Sequence, residues 1–278
     1  MNRLSQLLAI NRERFDALMT QRMRLLLIVS LTLGVIVAIL AVPRISQNQS
    51  YHNFADQRNL LGISNFLNVI SNAPFFLVGT LGLFFLWQQR VSDAGCAFIE
   101  ESEQWPYVVL FLGVVLIGFG SAYYHLLPNN ARLAWDRLPM TLVFMSFFSA
   151  TIVERISMKA GLWLLLPLVG VGIGSVIYWH LSELKGMGDL RPYVMVHFYP
   201  VLAIPLIVLL FPPRYTRGTD LLGIVALYAA AKIFELLDAE IFAIGRIVSG
   251  HTLKHLVAAI ATYWILRMLR KRHPLAAK

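Results

Sequence analysis

Eight apolar stretches set what this chain can fold into, at roughly 24–43, 60–88, 106–127, 135–154, 161–180, 191–211, 219–239 and 250–269. A helix of about 20 apolar residues crosses a hydrocarbon core, so the expected fold is an all-α, multi-pass integral membrane bundle. Composition agrees: hydrophobic residues make up 58% of the 278 positions and charged residues 14%, well off the balance of a soluble domain. The formal net charge of +9 is then no argument for nucleic acid. Its basic residues gather at the two ends (Arg3, Arg12, Arg14, Arg22 and Arg24; Arg267, Arg270, Lys271, Arg272 and Lys278), where anionic lipid would meet them. The lone Cys96 excludes an internal disulfide and a cysteine-based zinc cluster.

The chain divides into a basic segment at 1–22, a membrane helix at 23–43, a core at 44–272 and a tail at 273–278. Leu4, Leu7, Leu8, Phe15 and Leu18 alternate with basic positions, which suits an amphipathic surface helix, with a disordered tail as the alternative. Ala41-Val42-Pro43 is a poor cleavage site, so the first span reads as a retained anchor rather than a signal peptide. Eight spans put both basic termini on one side, the cytoplasmic one by the positive-inside rule. On that topology the outer ends of three spans carry His125, Asp136 and the pair His251 and His255. Independent placement would scatter such residues between faces.

Polar groups are costly in lipid, and Ser121, His125, Asp136, His251 and His255 interrupt a chain that otherwise excludes them. Residues four apart share a helix face, so Ser121 stacks under His125, and His251 and His255 present two imidazoles to one point. Three neutral imidazoles and a water form a tetrahedral zinc arrangement with an open position. Asp136 can accept a proton from that water or orient it, and Ser121 can hydrogen-bond a developing oxyanion. The bland alternative, five separate interior polar residues joining helices, leaves this clustering unexplained. Thr252 excludes the H-E-x-x-H zincin pattern. His180 and His197 are the alternative ligands, each better suited to packing or an interface, while His52 falls in a loop and His273 in the tail.

Two further clusters stand out. Lys232, Glu235 and Asp238 recur along the seventh span, as a structural ion pair or as support for the metal ligands or a substrate headgroup. Asn65, Asn68 and Asn72 share a helical face and are expected to bond between helices. The preceding loop offers an oxygen-rich cation site at Asp56 as the functional alternative. Gly113, Gly118 and Gly120 would permit close helix approach under the site.

The run Gly118-Phe119-Gly120-Ser121-Ala122-Tyr123-Tyr124-His125, then Trp135-Asp136-Arg137-Leu138-Pro139-Met140, then His251-x-x-x-His255 resembles the alkaline ceramidase family. That family belongs to a wider group of seven-helix membrane hydrolases that includes adiponectin-receptor-like proteins. The run from Asn65 to Asn72 resembles the family's first-helix motif, and the likeness spans roughly residues 50–270. The resemblance implies a seven-helix bundle, zinc on His125, His251 and His255, Asp136 as acid/base, and Ser121 at the oxyanion. It also implies hydrolysis of a ceramide amide to a sphingoid base and a fatty acid. There are two departures. The first span is extra, and Asn65 stands where eukaryotic members carry a calcium-binding glutamate. The second counts against Ca2+ and leaves Asp56 as its clearly acidic candidate.

The expected activity is therefore that of an intramembrane zinc-dependent lipid amidase, with its site near the extracytoplasmic (periplasmic or lumenal) face. Its expected partners are a lipid substrate and the membrane, with no nucleic acid and no obligate protein. The alternatives are a zinc-dependent lipid ester hydrolase and a non-enzymatic receptor or transporter with a structural metal. The tripeptide Asn48-Gln49-Ser50 is a glycosylation sequon of a kind common by chance.

Overall fold

The computed structural model describes residues 19–91 and 97–275. Most of the expected surface segment at 1–22, Cys96 and the last three residues of the tail lie outside them. The regular structure among the described residues is helical, with no strands. The first helix, α1, spans Gln21–Ala41. A short α2 (Phe66–Ile70) leads into α3 (Ala73–Val91), followed by α4 (Trp105–Leu126), α5 (Asn130–Arg155) and α6 (Met158–Leu184). The chain then forms α7 (Arg191–Leu210), α8 (Asp220–Leu236), a short α9 (Asp238–Gly245) and α10 (Gly250–Lys271).

Helices α3 to α8 pack in sequence order, and α10 closes the ring against both α8 and α3. Helix α1 stays outside, leaning on α7, and is almost wholly exposed along its length. Among the described residues, six segments are long and apolar enough to cross a membrane: α1, α2 with α3, α4 with its preceding turn, α5, α6 and α7. Helix α8 is shorter, at 17 residues, and α10 carries Lys254, Arg267, Arg270 and Lys271, which lower its hydropathy.

Several boundaries differ from the hydropathy reading, each for a local reason. Helix α5 starts at Asn130 instead of near 135 because Asn129 caps it, its side chain accepting from the Arg132 amide at 2.9 Å. Asp136 therefore sits inside a formed helix. Residues 60–65 are turns, and the helix proper begins at Phe66. It breaks again at Ser71-Asn72, where the Asn72 amide donates to the Asn68 carbonyl at 2.7 Å. The expected span at 219–239 breaks at Leu237. Beyond the break, the Asp238 carboxylate takes the amides of His251 (2.7 Å) and Ala55 (2.9 Å).

The main core lies between α3, α4, α5, α7 and α10, around fully buried Leu110, Phe111, Ile207, Leu266 and Leu269. Beyond it, at the end where α4 finishes and α10 starts, a second cluster of Phe54, Tyr124, Leu133, Trp179 and Tyr193 packs over the polar residues. At the opposite end buried Arg272 pairs with Glu154, and Glu154 also accepts from Tyr107 at 2.5 Å.

One glycine sets the spacing that matters most. A Cβ on Gly120 would run into the Trp135 carbonyl oxygen, so α4 and α5 touch backbone to backbone beside Ser121 and Asp136. Gly120→Val is expected to destabilise the protein by about 1–3 kcal/mol through overpacking. A thermal unfolding curve in detergent, compared with that of a valine substitution at Gly170, where a Cβ meets nothing, checks this.

Candidate metal centre

Three histidines from two helices meet at one end of the bundle. His125 lies in the last turn of α4, and His251 and His255 lie one turn apart at the start of α10. All three are buried, with 1%, 4% and 4% of their surface exposed. Their ring centroids form a nearly equilateral triangle with sides of 4.8, 4.9 and 4.8 Å. The Nε2 atoms of His125 and His251 are 3.2 Å apart, and each residue offers a ring nitrogen within 4.8 Å of the others.

Neighbouring groups fix the orientation of these rings. His255 Nδ1 donates to Ser71 Oγ at 2.8 Å, and Ser71 passes its own proton to the Asn68 carbonyl at 3.3 Å. That relay places the His255 proton on Nδ1 and leaves Nε2 with a free lone pair. Asn68 is itself held by Thr252, whose hydroxyl donates to Asn68 Oδ1 at 2.9 Å. Asn65 donates to the His125 carbonyl at 2.8 Å, and Asp238 receives the His251 amide. Phe54 lies against His125 and His251, with centroids at 4.7 and 4.4 Å.

The donor set fits a metal ion. Three uncharged nitrogens converge in an apolar shell, and the His125 Nδ1 atom is buried without a partner. Such a set suits a borderline-soft ion such as zinc and leaves a coordination position open.

Ser121 and Asp136 complete the expected group. Both are buried, and both line a cavity that also reaches His255. The cavity holds about 270 Å³. One end is polar, and the rest runs between the helices along Met140, Phe144 and Phe147 on α5 and Ala258, Ala261 and Ile265 on α10. The ten residues from His255 to Ile265 rise about 15 Å along a helix, so the cavity is a deep apolar slot with a polar end.

A family model described as Ceramidase matches residues 59–211, a little over half of the chain. The chain belongs to the ceramidase family. Family membership implies a hydrolase of amide bonds and a lipid substrate in a membrane. The match carries Ser121, His125 and Asp136 and ends ahead of His251 and His255, which the fold brings to His125. No curated protein matched the chain in a sequence search.

Other residues of the sequence reading lie around this ceramidase-family site in different ways. Lys232 and Glu235 pair directly, and Lys254 joins them at 3.0 Å from Glu235, all three at the cavity's polar end. Both carboxylate oxygens of Asp56 are engaged by Arg58, at 2.8 and 2.7 Å, and that guanidinium holds the carboxyl below the usual aspartate range. His197 is bound by Tyr193 (3.1 Å) and Tyr228 and lines the cavity. His52 bridges Tyr124 and Asn130, each at 2.9 Å. Neither His52 nor His197 joins the triad.

The sequence places Tyr51, Phe54 and Ser71 in the polar cluster around Asp56 and Asn68, and Arg137 in the motif around Asp136, without assigning any of them to the histidine cluster; Lys254 goes unmarked. Ser71→Ala removes the hydrogen bond that orients His255 and is expected to weaken zinc binding about 10- to 100-fold. A competition titration with a chromophoric chelator measures it, and an unchanged affinity would contradict the assigned relay.

Proposed function

We propose that this chain is an intramembrane zinc-dependent amidase that hydrolyses a ceramide or related N-acyl lipid to a free amine and a fatty acid. The observation that carries this reading is the shared cavity. A buried carboxylate and hydroxyl, Asp136 and Ser121, open onto the same apolar slot as a ligand of the three-histidine cluster. Membership of the ceramidase family supports the amide bond as the one cut. A structural metal in a receptor would favour a closed coordination sphere with no path to it, and the cavity reaching His255 counts against that.

His125, His251 and His255 would hold the zinc ion. When bound, zinc supplies a water of pKa lowered towards about 7 and polarises the amide carbonyl. Asp136 takes a proton from the attacking water and returns it to the departing nitrogen, so that the C–N bond breaks as the new C–O bond forms. The products are a carboxylic acid and an amine. Ser121 donates a hydrogen bond to the oxygen that gains charge. The apolar slot holds the acyl chain and excludes bulk water, while the polar end faces the headgroup. Calcium is left out of this reading, because Arg58 occupies the Asp56 carboxylate.

In the same reading α1, α3 to α8 and α10 make eight spans, with both termini in the cytoplasm and the centre near the extracytoplasmic face. Helix α1 is an addition to a seven-helix core, in keeping with its place outside the ring.

Two substitutions separate the roles. His251→Ala is expected to lose both zinc and activity. Asp136→Asn is expected to keep the metal while ceramide hydrolysis falls about 10²- to 10⁴-fold, the range of a lost general acid–base. Metal analysis of purified protein, run with labelled ceramide, N-acyl amino lipid and phospholipid, reads both. Wild-type turnover by either variant would overturn the assignment, and cleavage of the phospholipid alone would move it to an ester hydrolase.

A further inference from the structure

Beside Asp136, the cavity carries a cation with no direct ion-pair partner. Arg137 is 6% exposed and lines the cavity. Its guanidinium lies 4.1 Å over the Trp179 ring, 4.7 Å from that of Tyr193 and 5.8 Å from that of Tyr51. One nitrogen, Nη2, donates to Gln47 Oε1 at 2.7 Å. The other, Nη1, is buried with no hydrogen-bond partner.

The carboxylates nearby are engaged elsewhere. Glu183 accepts from the Gln47 amide at 2.7 Å and from Trp179 Nε1 at 3.2 Å. Glu235 takes Lys232, Lys254 and the Tyr51 hydroxyl, the last at 3.1 Å. Asp136 lines the same cavity but makes no ion pair with Arg137. The cavity lining holds the cations Arg137, Lys232 and Lys254 against the carboxylates Asp136 and Glu235, an excess of one positive charge with neutral histidines. Aromatic stacking holds a guanidinium in place but leaves its in-plane donors free. A buried donor without a partner is costly, and a planar fork of this kind matches an oxyacid best.

We infer that Arg137 is a specificity-determining residue that binds an anionic oxyacid group on the amine side of the substrate. The substrate class is then an N-acyl lipid with a carboxylate, phosphate or sulfonate near its amide, preferred over a neutral ceramide. The inference rests on the amidase reading for its chemistry, but the binding it requires does not. A carboxylate entering the polar end completes the Arg137 hydrogen bonds and balances the cavity's charge, while the acyl chain fills the slot.

The test compares N-palmitoylglycine with N-palmitoylethanolamine, which share an acyl chain and an amide and differ in the charged group. For the wild-type zinc enzyme, kcat/KM for the glycine conjugate is expected to exceed that for the ethanolamide by about 10- to 100-fold, as for a charge-assisted hydrogen bond in a buried site. In Arg137→Gln the ratio is expected to collapse towards one, with Arg137→Lys in between. The ratio is internal to each variant, so a general loss of folding does not move it.

A second readout needs no turnover: thermal stabilisation by each lipid in uncharged detergent micelles, for wild type and Arg137→Gln. Stabilisation by N-palmitoylglycine that is lost in the variant supports the headgroup site even if neither amide is cut, an outcome that would sink only the amidase reading. Equal stabilisation by both lipids, or a selectivity ratio unchanged by Arg137→Gln, overturns the inference and leaves Arg137 as a structural cation.

Discussion

Polar groups buried among apolar helices must find partners, and the organisation of the site follows from that requirement. An unpaired buried donor or acceptor costs about 1–3 kcal/mol. Here the polar residues of α2, α4, α5 and α10 therefore satisfy one another. Ser71 meets His255, Asn68 meets Thr252, and Asn65 meets the His125 carbonyl. The three-histidine cluster is the meeting point of these links, and three imidazoles converging in an apolar shell could hold a cation.

The loop before α2 belongs to the same unit. Asp238, at the α8–α9 break, receives amides from both His251 and Ala55. Phe54, next to Ala55, covers two of the imidazoles. One carboxylate thus ties the start of α10 to the segment that closes the centre from outside. The short α2 contributes from below through Asn68 and Ser71. The break after it at Ser71-Asn72 leaves Asn72 lining the cavity.

Much of this was legible in the sequence, for a physical reason. Helices in lipid are announced by hydropathy, so the all-helical fold and the approximate extent of most segments could be read directly. The i, i+4 spacing of His251 and His255 fixes their shared face whatever the rest of the bundle does. What could not be read depends on side chains acting at helix ends. The Asn129 cap draws α5 back by a turn, and Asp238 ends α8 early; neither changes average hydropathy. Helix α8, which is short, and α10, which is charged, show the converse, since packing places both in the ring although length counts against one and charge against the other. Arg137 stands in the motif around Asp136 but carries no role in the sequence, because an arginine near a helix start looks like a solvated charge until the aromatic rings around it are known.

Two buried arginines make the comparison that bears on function. Arg272, at the far end of the bundle, lies 4.6 Å from the Phe98 ring and 4.1 Å from that of Tyr215, much as Arg137 lies against Trp179 and Tyr193. Arg272 also has Glu154 as an ion-pair partner, and that pairing raises its pKa above the usual arginine value despite burial. Arg137 has Gln47, a neutral acceptor, in place of a carboxylate; each arginine keeps one buried nitrogen without a hydrogen bond, Nη1 of Arg137 and Nη2 of Arg272, so the missing ion pair is what sets Arg137 apart. If both arginines served only to bind the bundle together, both would be expected to carry a carboxylate, since an uncompensated buried charge is costly. The difference is position. Arg272 closes the end without the metal centre, while Arg137 opens onto the cavity beside Asp136, where an incoming oxyacid can supply the missing charge. The site end gives up stability at the place where a ligand can restore it.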